Sequence, residues 1–267
     1  MARRKTKSSH EVRPKILIWD IEVSPRTVYC WRLGEQYVSP DQMITDNFII
    51  SIAWQWYYTG ESGVIYLTPK EVLARDDKRI LTKFYQIAAQ ADFYVYHNGD
   101  SFDLKEFTTR LIKSKLPPLP PVKSFDTLKL ARRYFKFHSN KMDEICRALK
   151  IGQKLHTGME LWIACVKGNA KALKKMSLYN IRDVEINAKL FTKLLPFIKL
   201  GVRLRQPLVD KDKVGSEINK HECPHCGNTK GHTVNSKYMN VRGGVRYYIS
   251  CGKCGAHSVL NKMFKEE

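Results

Sequence analysis

Residues 15–22 read Lys-Ile-Leu-Ile-Trp-Asp-Ile-Glu, an apolar run that ends in two acids. Large and β-branched apolar residues in so short a run predict a central strand. Side chains alternate along a strand, so Ile16, Ile18, Asp20 and Glu22 share one face, and Leu17, Trp19 and Ile21 the other. Two carboxylates on a buried face cost several kcal/mol or take up protons unless they are paired. A divalent cation is the natural partner, and carboxylate oxygens suit Mg²⁺ or Mn²⁺. The alternative puts Asp20 and Glu22 just past the strand end in solvent, and this stretch alone does not choose.

The 267 residues can hold one sizeable domain and a small second one. With 46 Lys and Arg against 26 Asp and Glu, the formal charge of +20 points to a polyanionic partner, nucleic acid first. A membrane surface is the weaker option, because the sequence has no transmembrane run and no signal peptide; a cytoplasmic setting is expected. Residues 1–14 read as a basic arm that touches phosphates or is simply a disordered tail.

Downstream of Glu22, strands are expected over residues 26–33, 47–58 and 64–67, the last two joined by a Gly-containing turn, in a meander that begins at the acidic strand. Residues 76–91 carry Ile80, Leu81, Phe84, Ile87 and Ala88 at helical spacing. The segment 91–104, Ala-Asp-Phe-Tyr-Val-Tyr-His-Asn-Gly-Asp-Ser-Phe-Asp-Leu, reads as strand, turn and helix start. That places its turn beside the carboxyl end of a strand, where open α/β sheets keep their sites. Asp103 then falls in the first helical turn, which the helix dipole favours, and the plain reading makes Asp100 the N-cap. A strand at 122–125 and helices at 126–135, 141–150 and 157–166 follow, with His156 and Glu160 as candidates to border a site. In the last long helix, 173–198, Tyr179 and Asp183 stand four apart and so share a face. An ion pair between Asp183 and Arg182 is the alternative use of that acid.

Asp20 and Glu22 on the first strand, Asp103 after a His-Asn-Gly turn, and Tyr179 with Asp183 on a late helix resemble, in that order, the DnaQ-like branch of the RNase H-like superfamily, and within it the DEDDy exonucleases. Residues 98–103, Asn-Gly-Asp-Ser-Phe-Asp, are similar to the exonuclease domain of family-B DNA polymerases. The resemblance spans residues 15–198, within an exonuclease domain read as 15–200. It implies an α/β fold, a mixed RNase H-like sheet with flanking helices, and a two-metal 3′–5′ exonuclease acting on single-stranded or frayed DNA. It also implies that Asp20, Glu22, Asp103 and Asp183 hold two Mg²⁺ or Mn²⁺ ions about 4 Å apart, that Tyr179 orients the attacking water, and that Asn98 and Phe102 hold the terminal nucleotide. The branch that uses His in place of Tyr has it where Leu178 stands here, so the Tyr version fits. There is no polymerase domain in these residues, so the resemblance admits either a freestanding enzyme or the partner of a separate DNA polymerase. An RNase, a structure-selective endonuclease on the same fold, and a non-catalytic replication accessory protein remain open.

Residues 201–220 read as a linker, and 221–267 as a second unit. Cys223-Pro-His-Cys226 and Cys251-Gly-Lys-Cys254 bracket an expected hairpin with strands at 238–241 and 245–250, which resembles a zinc ribbon. Four thiolates close a tetrahedral site for one structural Zn²⁺, and so small a segment needs such a staple. Two disulfides or a redox Cys-x-x-Cys are the rivals, and His221, His225, His232 and His257 are candidate substitute ligands. Lys230, Lys237, Arg242, Arg246, Tyr247 and Tyr248 mix charge with aromatics as single-strand binders do, or else form a solvated face over strand-core tyrosines. Cys30, Cys146 and Cys165 stand singly among apolar neighbours and read as core packing.

Overall fold

The computed structural model describes residues 14–153, 155, 157–200, 222–223, 226–239 and 244–263, with side chains omitted at 235–239, 244–245 and 261–263. Residues 1–13 of the basic arm, the linker, His156, His221, His225 and Arg242 lie outside the described residues, as does the side chain of Lys237. In chain order the elements are β1 (Ile16–Val23), β2 (Thr27–Val28), β3 (Met43–Thr45), β4 (Ile49–Trp56), β5 (Ser62–Tyr66), α1 (Pro69–Ala74), α2 (Lys78–Ala88), β6 (Phe93–Tyr96), α3 (Asp103–Lys113), β7 (Lys123–Asp126), α4 (Thr127–Tyr134), α5 (Met142–Ala148), α6 (Met159–Val166), α7 (Ala170–Leu194), β8 (Thr233–Met239), β9 (Gly244–Ser250) and β10 (His257–Met263).

Five strands form a mixed sheet in the order β5-β4-β1-β6-β7. The meander expected from the turn chemistry is there: β1 pairs antiparallel with β4, and β4 with β5. On its other side β1 runs parallel to β6, and β6 to β7. A strand flanked by parallel neighbours with helices on both faces is buried on both sides, and all four residues of β6 are buried.

Alternation along β1 divides the core. Leu17, Trp19 and Ile21 enter one cluster, in which the Trp19 ring lies 5.2–5.9 Å from the rings of Phe84, Tyr94, Tyr96 and Phe107. Ile16 and Ile18 enter a second cluster with Val184, Ala188 and Phe191 of α7. Asp20 and Glu22 continue that second face, so the pleat itself aims both acids at α7.

Two expectations about the chain between β1 and β4 fail. In place of a strand over 26–33 there is a two-residue strand, β2, paired with β3 and followed by bends at 31–35. Tyr29, Trp31, Leu33 and Tyr37 are exposed there, so this apolar spacing reports no buried face. Cys30 is exposed as well, which corrects its reading as core, whereas Cys146 and Cys165 are buried. The C-terminal unit is a three-stranded sheet, β10-β9-β8, and β10 was not foreseen.

Candidate active site

β6 pairs with β1 only from Ile16 to Ile18, so beyond that point the β6-facing edge of β1 has no strand partner among the described residues. The turn after β6 fills the gap. Asp103, the first residue of α3 and 3% exposed, accepts the Ile21 N–H on Oδ1 at 3.0 Å. The third acid is thereby tied to the peptide between the first two.

The turn owes its shape to three residues. Asn98 has φ +68°, a conformation that Asn tolerates better than most residues. A Cβ at Gly99 would come within 2.2 Å of the Tyr96 ring, so only glycine allows that approach. Asp126 accepts N–H bonds from Asn98 and Asp100 and caps α4 through Leu128 and Lys129.

Asp100 is not the N-cap of α3; that position is Phe102. Asp100 instead accepts from Tyr96 Oη at 2.5 Å, Ser124 Oγ at 2.7 Å and Lys129 Nζ at 2.6 Å. These bonds hold its carboxyl below the usual range against the opposing effect of burial. Phe102, 43% exposed, is not tucked beneath the turn, and Asn98 is exposed beside it.

From the other side α7 delivers Asp183, 2% exposed. Carboxylate oxygens of Asp20, Glu22 and Asp183 all lie within 4.8 Å of one another. Ligands of one octahedral ion with bonds of about 2.1 Å stand about 3 Å apart when adjacent and ~4 Å when opposite. Small side-chain rotations therefore suffice for the three to share an ion, and the hard, anionic donor set suits Mg²⁺ or Mn²⁺. Arg182, the alternative partner of Asp183, pairs with Glu185 at 3.1 Å.

Helix α6 braces this arrangement. Trp162 meets the Tyr179 ring edge-on, with centroids 5.9 Å apart. Burial, and then the charge of Glu22, push the Cys165 thiol up to about 11. Glu160 is exposed in the first turn of α6.

Asn180 and Ser51 were missed in the sequence. Asn180 donates to Asp20, and Ser51 donates to Asn180. Ser177, Asn180, Asp183 and Asn187 form a polar stripe on the buried side of α7, a helical spacing that could have singled out Asn180. Ser51 is legible only through the strand register that sets it opposite Glu22.

A cleft of about 710 Å³ opens beside the turn, lined in part by His97, Asn98, Leu128, Arg132, His138 and Lys141. It reaches toward the acids through His97, whose Nδ1 lies 2.9 Å from Thr127 Oγ1, itself 2.8 Å from Asn187, one turn beyond Asp183.

In the C-terminal unit Cys223, Cys226, Cys251 and Cys254 come together, with Sγ atoms 3.8 Å apart between Cys223 and Cys254 and 3.7 Å between Cys226 and Cys251. Four sulfurs at about 2.3 Å from a tetrahedral zinc stand about 3.8 Å apart. The charge balance agrees. The Cys254 backbone, followed by other donors, holds the Cys251 thiol down at about 5. Cys254 goes the other way: the Ala256 N–H favours its thiolate, but desolvation and the sulfurs of Cys226, Cys251 and Cys223 push it up to about 12. Four thiolates this close together would be stabilised by a shared cation. His232 and His257 are engaged elsewhere, with the Asn228 carbonyl and with Ser250. Tyr247 is buried and Tyr248 packs against the cluster containing Phe125 and Phe191, so these two tyrosines are core and not a stacking surface.

A sequence model of the RNase H superfamily matches residues 43–195. No curated protein matches the chain in sequence. Among solved structures, the family B DNA polymerase from the hyperthermophilic archaeon Pyrobaculum calidifontis is similar with a TM-score of 0.53 and 16% identity, over 68% of this chain and 25% of the polymerase. The chain thus corresponds to about a quarter of that polymerase's length.

Proposed function

This chain belongs to the RNase H superfamily, and we propose that it is a metal-dependent 3′–5′ exonuclease that hydrolyses phosphodiester bonds at the end of single-stranded or frayed DNA. One observation carries the reading: Asp20, Glu22 and Asp183 converge within 4.8 Å, with Asp103 bonded to the peptide N–H between the first two. Carboxylates drawn this close, two of them half-buried and Asp183 fully so, are favoured as anions by a shared cation. When bound, two divalent ions supply an acidified water and stabilise the leaving oxygen.

The protein's own share is placement. Asp20, Glu22, Asp183 and Asp103 are the ligands. Tyr179, one turn before Asp183 and steadied by Trp162, orients the water; an unperturbed phenol titrates near ~10 and is a poor base at neutral pH. Phe102, exposed at the head of α3, stacks on the terminal base, and Asn98 borders both that base and the cleft. Arg132 and Lys141 on the cleft wall offer positive charge to a phosphate backbone. The four cysteines hold one structural Zn²⁺. DNA is favoured over RNA by the likeness to a DNA polymerase, and a separate polymerase is the protein partner that this likeness suggests.

The test follows 5′-labelled single-stranded DNA and matched RNA over time with Mg²⁺, Mn²⁺ or EDTA, comparing the wild type with Asp20→Ala. A ladder that shortens from the 3′ end, requires metal and is lost in the variant is the expected result. Internal cuts would favour an endonuclease, preference for the RNA an RNase, and binding without cleavage an accessory protein.

A further inference from the structure

Asn180 is fully buried on α7, and both ends of its amide are used. Nδ2 donates to Asp20 Oδ2 at 2.7 Å, and Oδ1 accepts from Ser51 Oγ at 2.9 Å. The amide's orientation is forced, because a carboxylate only accepts and the amide nitrogen only donates. Ser51, itself buried, stands on β4 directly opposite Glu22. The relay therefore starts beside one acid, crosses the helix that carries another, and ends on a third.

We propose that Asn180 is a positioning residue that fixes the rotation of the Asp20 carboxylate, anchored in turn by Ser51, and so sets the affinity of the acid cluster for divalent metal. This rests on the metal-site reading above. A polar group buried this deeply on a helix interior costs stability unless its bonds repay it, and here one bond goes to an acid of the cluster and the other to Ser51, the cross-strand neighbour of Glu22. A carboxylate that rotates freely loses entropy on binding an ion, whereas one already held does not. Partners of this kind behind metal ligands typically change affinity by about 10- to 100-fold when removed.

Metal binding can be read without turnover, by Mn²⁺ titration followed by electron paramagnetic resonance in the absence of nucleic acid. Asn180→Ala should weaken Mn²⁺ binding by about 10- to 100-fold. Ser51→Ala, which keeps the amide but frees it to turn, should give a smaller loss, and the double variant should be no worse than Asn180→Ala alone. Asn187→Ala is the structural control. It removes another buried asparagine of α7, bonded to Thr127 at 2.8 Å and not to an acid, and should lower the melting temperature without changing Mn²⁺ affinity. If Asn180→Ala does not fold, Ser51→Ala carries the test.

Wild-type affinity in Asn180→Ala, or an equal loss in Asn187→Ala, would overturn the assignment and leave the metal site standing. If the wild type binds Mn²⁺ no better than Asp20→Ala does, the metal site and the role of Asn180 fall together.

Discussion

Asp100 and Asp103 lie three apart in one turn, and the proposed function gives a chemical role to Asp103 alone. Replacing Asp100 with Ala deprives the buried Tyr96 hydroxyl of its 2.5 Å acceptor and breaks the pair with Lys129. An abandoned buried donor costs about 1–3 kcal/mol. The Lys129 side chain is 60% exposed, so its pair adds about 0–1 kcal/mol. A total near 2 kcal/mol lowers the melting temperature by about 4–8 °C in a domain of this size, and the acids stay where they are. Asp103→Asn behaves in the opposite way. The amide oxygen still accepts the Ile21 N–H, so the fold survives, but the charge near the developing transition state is gone. Losing one such electrostatic contribution costs at least about 10²-fold in rate. Single-turnover cleavage of 5′-labelled single-stranded DNA, alongside thermal melting, separates the two. A slow, stable Asp103→Asn and an active, destabilised Asp100→Ala are expected; the reverse ranking would mean that the acid constellation is misassigned.

Cys223→Ser should release the metal, read as zinc content after gel filtration, and weaken binding to single-stranded DNA; zinc retained in full would refute the tetrad. Trp162→Ala removes an edge-on ring pair worth about 0.5–1.5 kcal/mol; if Tyr179 orients the water, kcat falls about 2- to 13-fold with KM little changed, and a rise in KM alone would assign Trp162 to binding. Hydrogen bonds from Arg79, outweighing burial, hold Glu71 at about 2, below its ordinary 4.5. A depressed carboxyl stabilises the fold above its unfolded value and loses that contribution as pH falls through the folded one. Glu71→Gln should therefore lower the melting temperature at pH 7, with the gap to wild type closing between pH ~4.5 and ~2; a gap independent of pH would exclude the ion pair as its cause. Arg110→Ala leaves Asp77, which is 1% exposed and bonded to that guanidinium twice at 2.7 Å, as a buried charge with its main partner gone. Chemical denaturation should show a loss of about 3–5 kcal/mol, and a loss below 1 kcal/mol would show that water replaces the guanidinium.

Strand β1 was legible because period-two alternation is a local property, and its two acids broke an apolar run where nothing else explains them. Asp183 was legible for the same kind of reason, its place on one face of a helix. The region between β1 and β4 was misread because tyrosine, tryptophan and leucine at strand spacing carry the same local signal whether a sheet covers them or not. Only the tertiary structure shows that Trp31 and Leu33 are bare. Tyr247 and Tyr248 mislead in the opposite sense, since an aromatic beside arginines looks like a stacking surface until its partner cluster is known. Asp100 shows the limit at a single turn. Its type and position suited a helix cap, but the long-range approach of Ser124 and Lys129 gave it other bonds.

The four acids make the same point at the scale of the fold. Asp20 and Glu22 meet Asp183 because alternation aims them at the face that α7 covers, and Asp103 reaches Ile21 because β6 stops pairing after Ile18. The first cause is written in residues 15–22, but the second depends on where a neighbouring strand ends. Beyond that ending the chain turns at a glycine whose Cβ would strike Tyr96. The turn from Asn98 to Phe102 is thus the element that brings a further acid, Asp103, against the strand that carries Asp20 and Glu22. A substitution at Gly99, which touches no ligand, should disturb the acid cluster more than most changes on the cleft wall.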